Sequence, residues 1–149
     1  METPWEELVD DGFIGLIGPM HTRVNCGTRE FGLVCQTKHR NLRGVVQGGL
    51  IVAFADRALG SLALETTLTE NMSTVQLNMS FVMPLRVGDF LIARPRVVRR
   101  TASLVFADTD LTADDHMIAT ATGVFKILAR TPSAARRIEV LDNIGIPCR

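Results

Sequence analysis

The segment Gly48-Gly49-Leu50-Ile51-Val52-Ala53-Phe54-Ala55-Asp56-Arg57-Ala58-Leu59-Gly60-Ser61-Leu62-Ala63-Leu64-Glu65-Thr66 is followed, after a short link, by Thr74-Val75-Gln76-Leu77-Asn78-Met79-Ser80-Phe81. The first reads as a helix of ~28 Å. Its apolar residues occupy almost every side, and only Asp56, Arg57 and Ser61 interrupt them before Glu65. A helix that is apolar all round is a buried helix. In the second segment the period changes to two, with polar residues at even positions and apolar residues at odd ones. That alternation marks a half-buried strand. One buried helix followed by strands predicts an α+β fold, a long central helix wrapped by a curved antiparallel sheet.

Downstream, Pro84 closes the strand, and residues 89–99, 103–111 and 117–128 read as three more. The links Arg99-Arg100-Thr101 and Ala113-Asp114-Asp115-His116 are short, which predicts antiparallel hairpins and a four-stranded meander after the helix. Upstream, residues 13–23 and 30–38 read as strands joined near Cys26 and Gly27, and residues 39–44 as a polar loop. Residues 1–12 read as an acidic N-terminal helix or arm. Residues 129–149 read as a C-terminal tail, with a short helix near 134–141. The organisation expected is an arm, one domain over residues 13–128, and the tail.

The chain has 149 residues, 46% of them hydrophobic and 21% charged, enough for one solid core and too apolar for a disordered chain. Lys plus Arg is 16 and Asp plus Glu is 16, so a broad basic nucleic-acid surface is not expected. No apolar run approaches a membrane span. Glu6, Glu7, Asp10 and Asp11 stand where a cleaved leader would carry basic residues. Cys26, Cys35 and Cys148 lack CxxC spacing and read as reduced thiols of a cytoplasmic protein. His21, His39 and His116 form no metal-ligand pattern, so no metal and no cofactor is expected.

The candidate chemistry sits around the helix. Asp56 has Val52, Ala53, Leu59, Gly60 and Ala63 as wheel neighbours, and a carboxylate in that company must be paired or used. Desolvation there raises a carboxyl pKa, which suits a general base. The structural alternative is an ion pair with Arg57 or another arginine, although adjacent helical residues pair poorly. Gln47, Gly48 and Gly49 fall at the helix start, where free N–H groups and the dipole can hold a developing oxyanion; two glycines alone are more often a plain loop-to-helix turn. Asn41 lies seven residues before Gly48, and its structural alternative is an Asx-turn. Thr74 opens the alternating strand, where β-propensity alone accounts for a threonine. Arg94, Arg96, Arg99 and Arg100, with Thr101 and Ser103, could take phosphates, or form a solvated strand face. The polar residues Thr74, Gln76, Asn78 and Ser80 suggest a surface that meets another subunit. No GxSxG, GxGxxG or Walker motif is present.

Together these residues resemble the hotdog-fold acyl-CoA thioesterases of the phenylacetate-pathway (PaaI) type. The resemblance runs over about residues 13–128. It is carried by His39-Arg40-Asn41-Leu42-Arg43-Gly44-Val45-Val46-Gln47-Gly48-Gly49 and by Asp56, eight residues after Gly48. The strand at 74–81, Pro84 and Gly88-Asp89 fit as well. The resemblance implies a hotdog fold and a homodimer or homotetramer with active sites at subunit interfaces. Asp56 of one subunit would face Asn41 and Gly48 of the other. The Gly48 N–H, helped by Asn41, would polarise the thioester carbonyl; Asp56 would activate water or attack; Thr74 would help place the water. Gln47 and Gly49 would line the substrate site, and Arg99, Arg100, Thr101 and Ser103 would meet the CoA phosphates. The family's histidine before Gly-Gly is Gln47 here, which cannot titrate near neutrality. The expected function is an acyl-CoA thioesterase releasing free acid and CoA; the alternative is a non-catalytic acyl-CoA-binding hotdog protein. A hotdog dehydratase would need an acid–base pair such as a histidine with a carboxylate, and His39 does not have that spacing. A purely structural interaction domain would leave Asp56 without a purpose.

Overall fold

The computed structural model describes residues 3–69 and 71–128. The order of elements is β1 (Glu6–Leu8), α1 (Phe13–Ile17), β2 (Met20–Asn25), β3 (Thr28–Val34), a 3-10 turn (Thr37–His39), α2 (Gly48–Thr67), β4 (Met72–Phe81), β5 (Phe90–Arg100), β6 (Leu104–Ala113) and β7 (His116–Ile127). The strands form one seven-stranded sheet in the order β1-β2-β3-β5-β6-β7-β4, every pair antiparallel. The sheet is curved and open, with α2 against its concave face: the α+β hotdog fold.

The apolar alternation of each strand aims one row of side chains at α2. Phe31, Leu33, Leu91, Ala93, Val105, Ala107, Leu111, Ala119, Ala121 and Phe125 are all buried there. The helix answers with Phe54, Ala55, Ala58, Leu59 and Ala63, each without solvent exposure. The small alanines let helix and sheet approach closely, and at Gly123 there is no room for more. A β-carbon at Gly123 would lie 2.7 Å from the Phe125 ring and 3.3 Å from a Leu59 methyl.

Four expectations are corrected. Of the helix or arm expected over residues 1–12, the helix is overturned: residues 3–12 hold β1, a short strand on β2. Residues 13–23 are not one strand: Phe13–Ile17 is a helical turn, and Gly18-Pro19 then introduces β2 at Met20. Gly15 and Gly18 with Pro19 interrupt that stretch, and glycine and proline weaken a strand. The four strands after α2 are not a meander. Only β5, β6 and β7 run consecutively, while β4 pairs with β7 at the far edge. The chain then crosses from one side of the sheet to the other through residues 82–89, held by Val46 N–H to the Leu85 carbonyl (2.9 Å) and Gly88 N–H to the Cys35 carbonyl (2.7 Å). Finally, α2 is not buried on every side. Val52, Ala53, Asp56, Arg57, Gly60, Ser61 and Leu64 form a half-buried face that the sheet does not cover. The short helix expected near 134–141, and Cys148, lie outside the described residues. Among the described residues no helix is long and apolar enough to cross a membrane.

The two tight hairpins were legible as turns and have a common geometry. Cys26-Gly27 and Asp114-Asp115 both place two successive residues at positive φ (49° and 80°, 47° and 61°). Such turns match the right-handed twist of the strands they join.

Candidate active site

Asp56 stands on the third turn of α2, on its uncovered face. Its partner comes from β4: Thr74 Oγ1 donates a hydrogen bond of 2.8 Å to Asp56 Oδ1. Eighteen residues separate the two in sequence, and the edge position of β4 brings its first residues alongside the helix. The register of β4 on β7 shifts between Thr74 and Gln76, leaving Val75 as the extra residue of a bulge. Bulges re-aim neighbouring side chains, and here the bulge adjoins the threonine that meets Asp56. The pair opens on a groove of about 250 Å³ between α2 and β4, whose apolar end is made by Leu64, Met72 and Phe125.

Asp56 does not pair with Arg57. The Arg57 guanidinium turns to the N-terminal arm and meets Asp10 Oδ2 at 3.4 Å. The other Asp10 oxygen accepts the Gly12 N–H at 2.8 Å. Asp56 is half-buried in the protomer rather than enclosed by the core, because its face of α2 has no sheet over it.

Gly48 begins α2 and Gln47 is its N-cap in extended conformation, without a side-chain capping bond. The Gln47 N–H is held by the His39 carbonyl at 2.8 Å, while the Gly48 and Gly49 N–H groups find no carbonyl among the described residues. Both glycines have negative φ, so neither is required by a left-handed backbone. The Phe81 ring lies over Gly48, 3.4 Å from the place a β-carbon would take. Asn41 forms the Asx-turn of the loop: its Oδ1 accepts the Arg43 N–H at 2.8 Å. The same loop closes through Asn41 N–H to the Val45 carbonyl (2.7 Å) and Gly44 N–H to the Asn41 carbonyl (3.0 Å), with Gly44 at φ 83°. Arg40, Asn41, Leu42, Arg43 and Gln47 line a separate surface depression. Eight residues of helix put Gly48 ~12 Å from Asp56 along the axis. Within one protomer, therefore, Asp56 and Thr74 meet, whereas Asn41, Gln47, Gly48 and Gly49 cluster elsewhere.

The arginine group divides. Arg94 and Arg96 are strand-face ion pairs, to Glu30 (2.8 Å) and to Asp108. Arg99 is exposed beside the β5 bulge between Val97 and Arg99, and Arg100 donates to the Thr66 carbonyl at 3.2 Å. Thr101 is a turn residue whose hydroxyl accepts the Ser103 and Leu104 N–H groups at 3.4 and 3.0 Å.

His39 offers no acid–base chemistry to the groove. It is buried, and Nδ1 accepts the Gln36 N–H at 2.9 Å. Burial lowers its pKa; the Ile17 carbonyl opposes that shift and the Lys38 charge adds to it. Cys35 is likewise inert: burial, with the Asp89 charge, pushes its thiol up to about 11 against the Leu91 backbone. Among the described residues no group of three His, Cys, Asp or Glu could hold a metal ion. The residues that sequence reasoning passed over are Asp10, which no motif marks, and Ser61, noted only as a break in the apolar pattern.

Residues 43–120 match the Thioesterase superfamily. The chain belongs to the thioesterase superfamily. A Pseudomonas aeruginosa relative named "putative esterase" is 32% identical over 116 residues, which is 76% of this chain and 87% of the relative. Acyl-coenzyme A thioesterase 13 of Mus musculus is 27% identical over 85 residues, covering 54% of this chain and 60% of the mouse protein. Among solved structures, the Ralstonia eutropha JMP134 protein described as a "putative thioesterase, phenylacetic acid degradation-related protein" superposes with a TM-score of 0.71 at 28% identity. It covers 80% of this chain and 92% of its own. The likeness is thus to hotdog thioesterases of the PaaI type, and at family level the chain is a thioesterase-fold protein with Asp56 on its central helix.

Proposed function

We propose that this protein is a cytoplasmic acyl-CoA thioesterase that hydrolyses an acyl-CoA to the free acid and CoA. The Thr74–Asp56 hydrogen bond of 2.8 Å at the open groove carries this reading. A carboxylate held by one hydroxyl keeps its second oxygen for the reaction. In a hydrolytic step that oxygen takes a proton from water as the water attacks the thioester carbonyl. Alternatively it attacks the carbonyl itself, and water then opens the anhydride; Thr74 fixes the carboxylate in either course. The carbonyl oxygen becomes negative as the bond forms, and the open N–H of Gly48 at the positive end of α2 is suited to it. The thiolate of CoA departs and is protonated by solvent.

Gly48 and Asn41 lie too far from Asp56 within one protomer to share a substrate, so the reading includes a second copy. β4 is ten residues long and, among the described residues, pairs on one side only, with Val75 and Phe81 59% and 55% exposed. An uncovered edge of this length is a template for pairing with another strand. In this reading β4 pairs with β4 in a homodimer, or in a homotetramer built from two such dimers, and Gly48 and Asn41 of one copy would face Asp56 of the next. Arg99 and Arg100 remain exposed cations for the CoA phosphates.

Free-thiol release from aryl and aliphatic acyl-CoAs tests the reading, with Asp56→Asn run beside the wild type. Loss of an acid–base carboxylate lowers kcat by about 10²–10⁴-fold. Release that continues unchanged in folded Asp56→Asn protein overturns the assignment of Asp56. A monomeric mass at micromolar concentration, with activity retained, overturns the shared site.

A further inference from the structure

The groove beside Asp56 contains two hydrogen-bond donors that the reaction does not use. Arg57 Nε is buried and has no partner, although the same guanidinium reaches Asp10 through its other nitrogen. Ser61 is half-buried on the wall of the same groove, and its hydroxyl makes no bond among the described residues. Helical hydroxyls ordinarily turn back to the preceding carbonyls, and two do so one turn further on: Thr66 to Leu62 at 2.9 Å and Thr67 to Ala63 at 2.8 Å. Arg57 and Ser61 are four residues apart, hence on one row of the helix, one turn from each other. Gly60, one turn beyond Asp56 on the same wall, has no side chain, so the groove stays open beside these donors.

A buried N–H without an acceptor costs stability, and in an open groove a bound molecule can supply that acceptor. The groove is too small for the nucleotide of CoA and has an apolar end at Leu64, Met72 and Phe125. It fits the acyl group. Resting on the thioesterase reading above, we infer that Arg57 and Ser61 are specificity-determining residues. They select an acyl chain that carries a neutral oxygen, a hydroxyl or a keto group, some distance from the thioester. Ser61 lies five residues beyond Asp56, ~7 Å along the helix. An extended acyl chain covers a comparable length between its thioester carbon and an oxygen on its sixth carbon. The oxygen is neutral rather than anionic because of the local charge. Asp56 lines the groove, and the charge of Arg57 is already paired with Asp10 outside its lining, so a terminal carboxylate meets a net negative site.

Hexanoyl-CoA, 6-hydroxyhexanoyl-CoA and adipoyl-CoA differ only at that carbon. We expect kcat/KM for the hydroxyl substrate to exceed that for hexanoyl-CoA by about tenfold, with adipoyl-CoA the poorest, two modest hydrogen bonds being worth about that factor. The hydroxyl-to-hexanoyl ratio falls toward one in Arg57→Met and part of the way in Ser61→Ala. Ser61→Ala preserves helix propensity and the Asp10 contact, so it reads the ratio even if Arg57→Met does not fold. The same ratio is measured as Kd by calorimetry with the three non-hydrolysable thioether analogues. If no ester is hydrolysed but the analogues show the Arg57- and Ser61-dependent ratio, the thioesterase reading fails and the selectivity stands. A wild-type ratio of one, a ratio indifferent to both substitutions, or a preference for adipoyl overturns the selectivity itself.

Discussion

Two clusters of charged and polar groups lie on opposite sides of this sheet. On the concave side, Asp56, Thr74, Arg57 and Ser61 surround a groove with one internal hydrogen bond, one long ion pair and two unused donors. On the outer side, Glu30 of β3 accepts from Arg23 at 2.6 Å and from Arg94 at 2.8 Å. Arg94 also donates to Thr112 at 2.9 Å, and Arg23 lies 4.4 Å from the centre of the Trp5 ring, which itself packs edge-on against Phe90 at 5.1 Å. Both Glu30 carboxylate oxygens are occupied and the residue is only 3% exposed. The difference teaches how to separate framework from function in a chain like this. The outer cluster is satisfied within the protomer and joins β2, β3 and β5. The inner cluster is left incomplete, and incomplete polar groups in an open groove await something from outside.

The sharpest way to break the comparison is Glu30→Ala. It removes the buried carboxylate that accepts from both Arg23 and Arg94, and breaking a buried ion pair costs about 3 kcal/mol. Chemical denaturation should show that loss, while kcat of the protein that remains folded stays at the wild-type value. A large fall in kcat with unchanged stability would mean that the outer cluster serves the reaction.

Thr74→Val is the converse experiment and has a smaller expected effect. It removes the hydroxyl from Asp56 and keeps the β-branched shape on an exposed strand position. Stability should change by less than about 0.5 kcal/mol. Turnover should fall by about 10–100-fold, equivalent to ~1.4–2.7 kcal/mol of barrier, because the carboxylate loses its orientation. Equal turnover by the two proteins would reduce the 2.8 Å contact to a surface bond.

The same contrast explains what the sequence made legible. The helix, β4 and the three-stranded meander follow from local periodicity, and their bounds differ from expectation by one or two residues. The position of β4 does not follow, because an alternating strand with a proline after it carries no information about which neighbour it joins. Pairing with β7 sends the chain back through residues 82–89, a mostly exposed crossover anchored by the buried Leu85, whose carbonyl accepts the Val46 N–H before α2. Asp56 was legible as a carboxylate in apolar company, and Thr74 only through the family resemblance. Asp10 was not legible at all, because its partner is forty-seven positions away and the arm that carries it has no periodicity. The outer network was illegible for a related reason: Glu30 and Arg94 lie on strands that meet only because β3 and β5 are neighbours in the sheet.

The smallest expected effect sharpens the comparison further, since it reads the outer cluster without mutating anything. Burial pushes the Glu30 carboxyl up, but the hydrogen bonds and charges of Arg23 and Arg94 outweigh it and hold the group below its ordinary range. A carboxyl whose pKa is lower in the folded than in the unfolded chain binds fewer protons when folded. Its contribution to stability is complete above the unfolded value, ~4.3, and is lost as pH falls through the lower folded value. Between pH 7 and 5 this group therefore adds no slope, and below about pH 4.3 it makes the protein progressively less stable. Glu30→Gln keeps the size and the acceptor oxygen but cannot titrate. Its stability is lower than that of the wild type at pH 7, and the two curves approach one another as the solution is acidified toward pH 3. Thermal melts of the two proteins from pH 7 to pH 3 decide the matter. Convergence places the acid-sensitive ion pair on the outer face of the sheet, and parallel curves would remove Glu30 from the framework it is argued to hold.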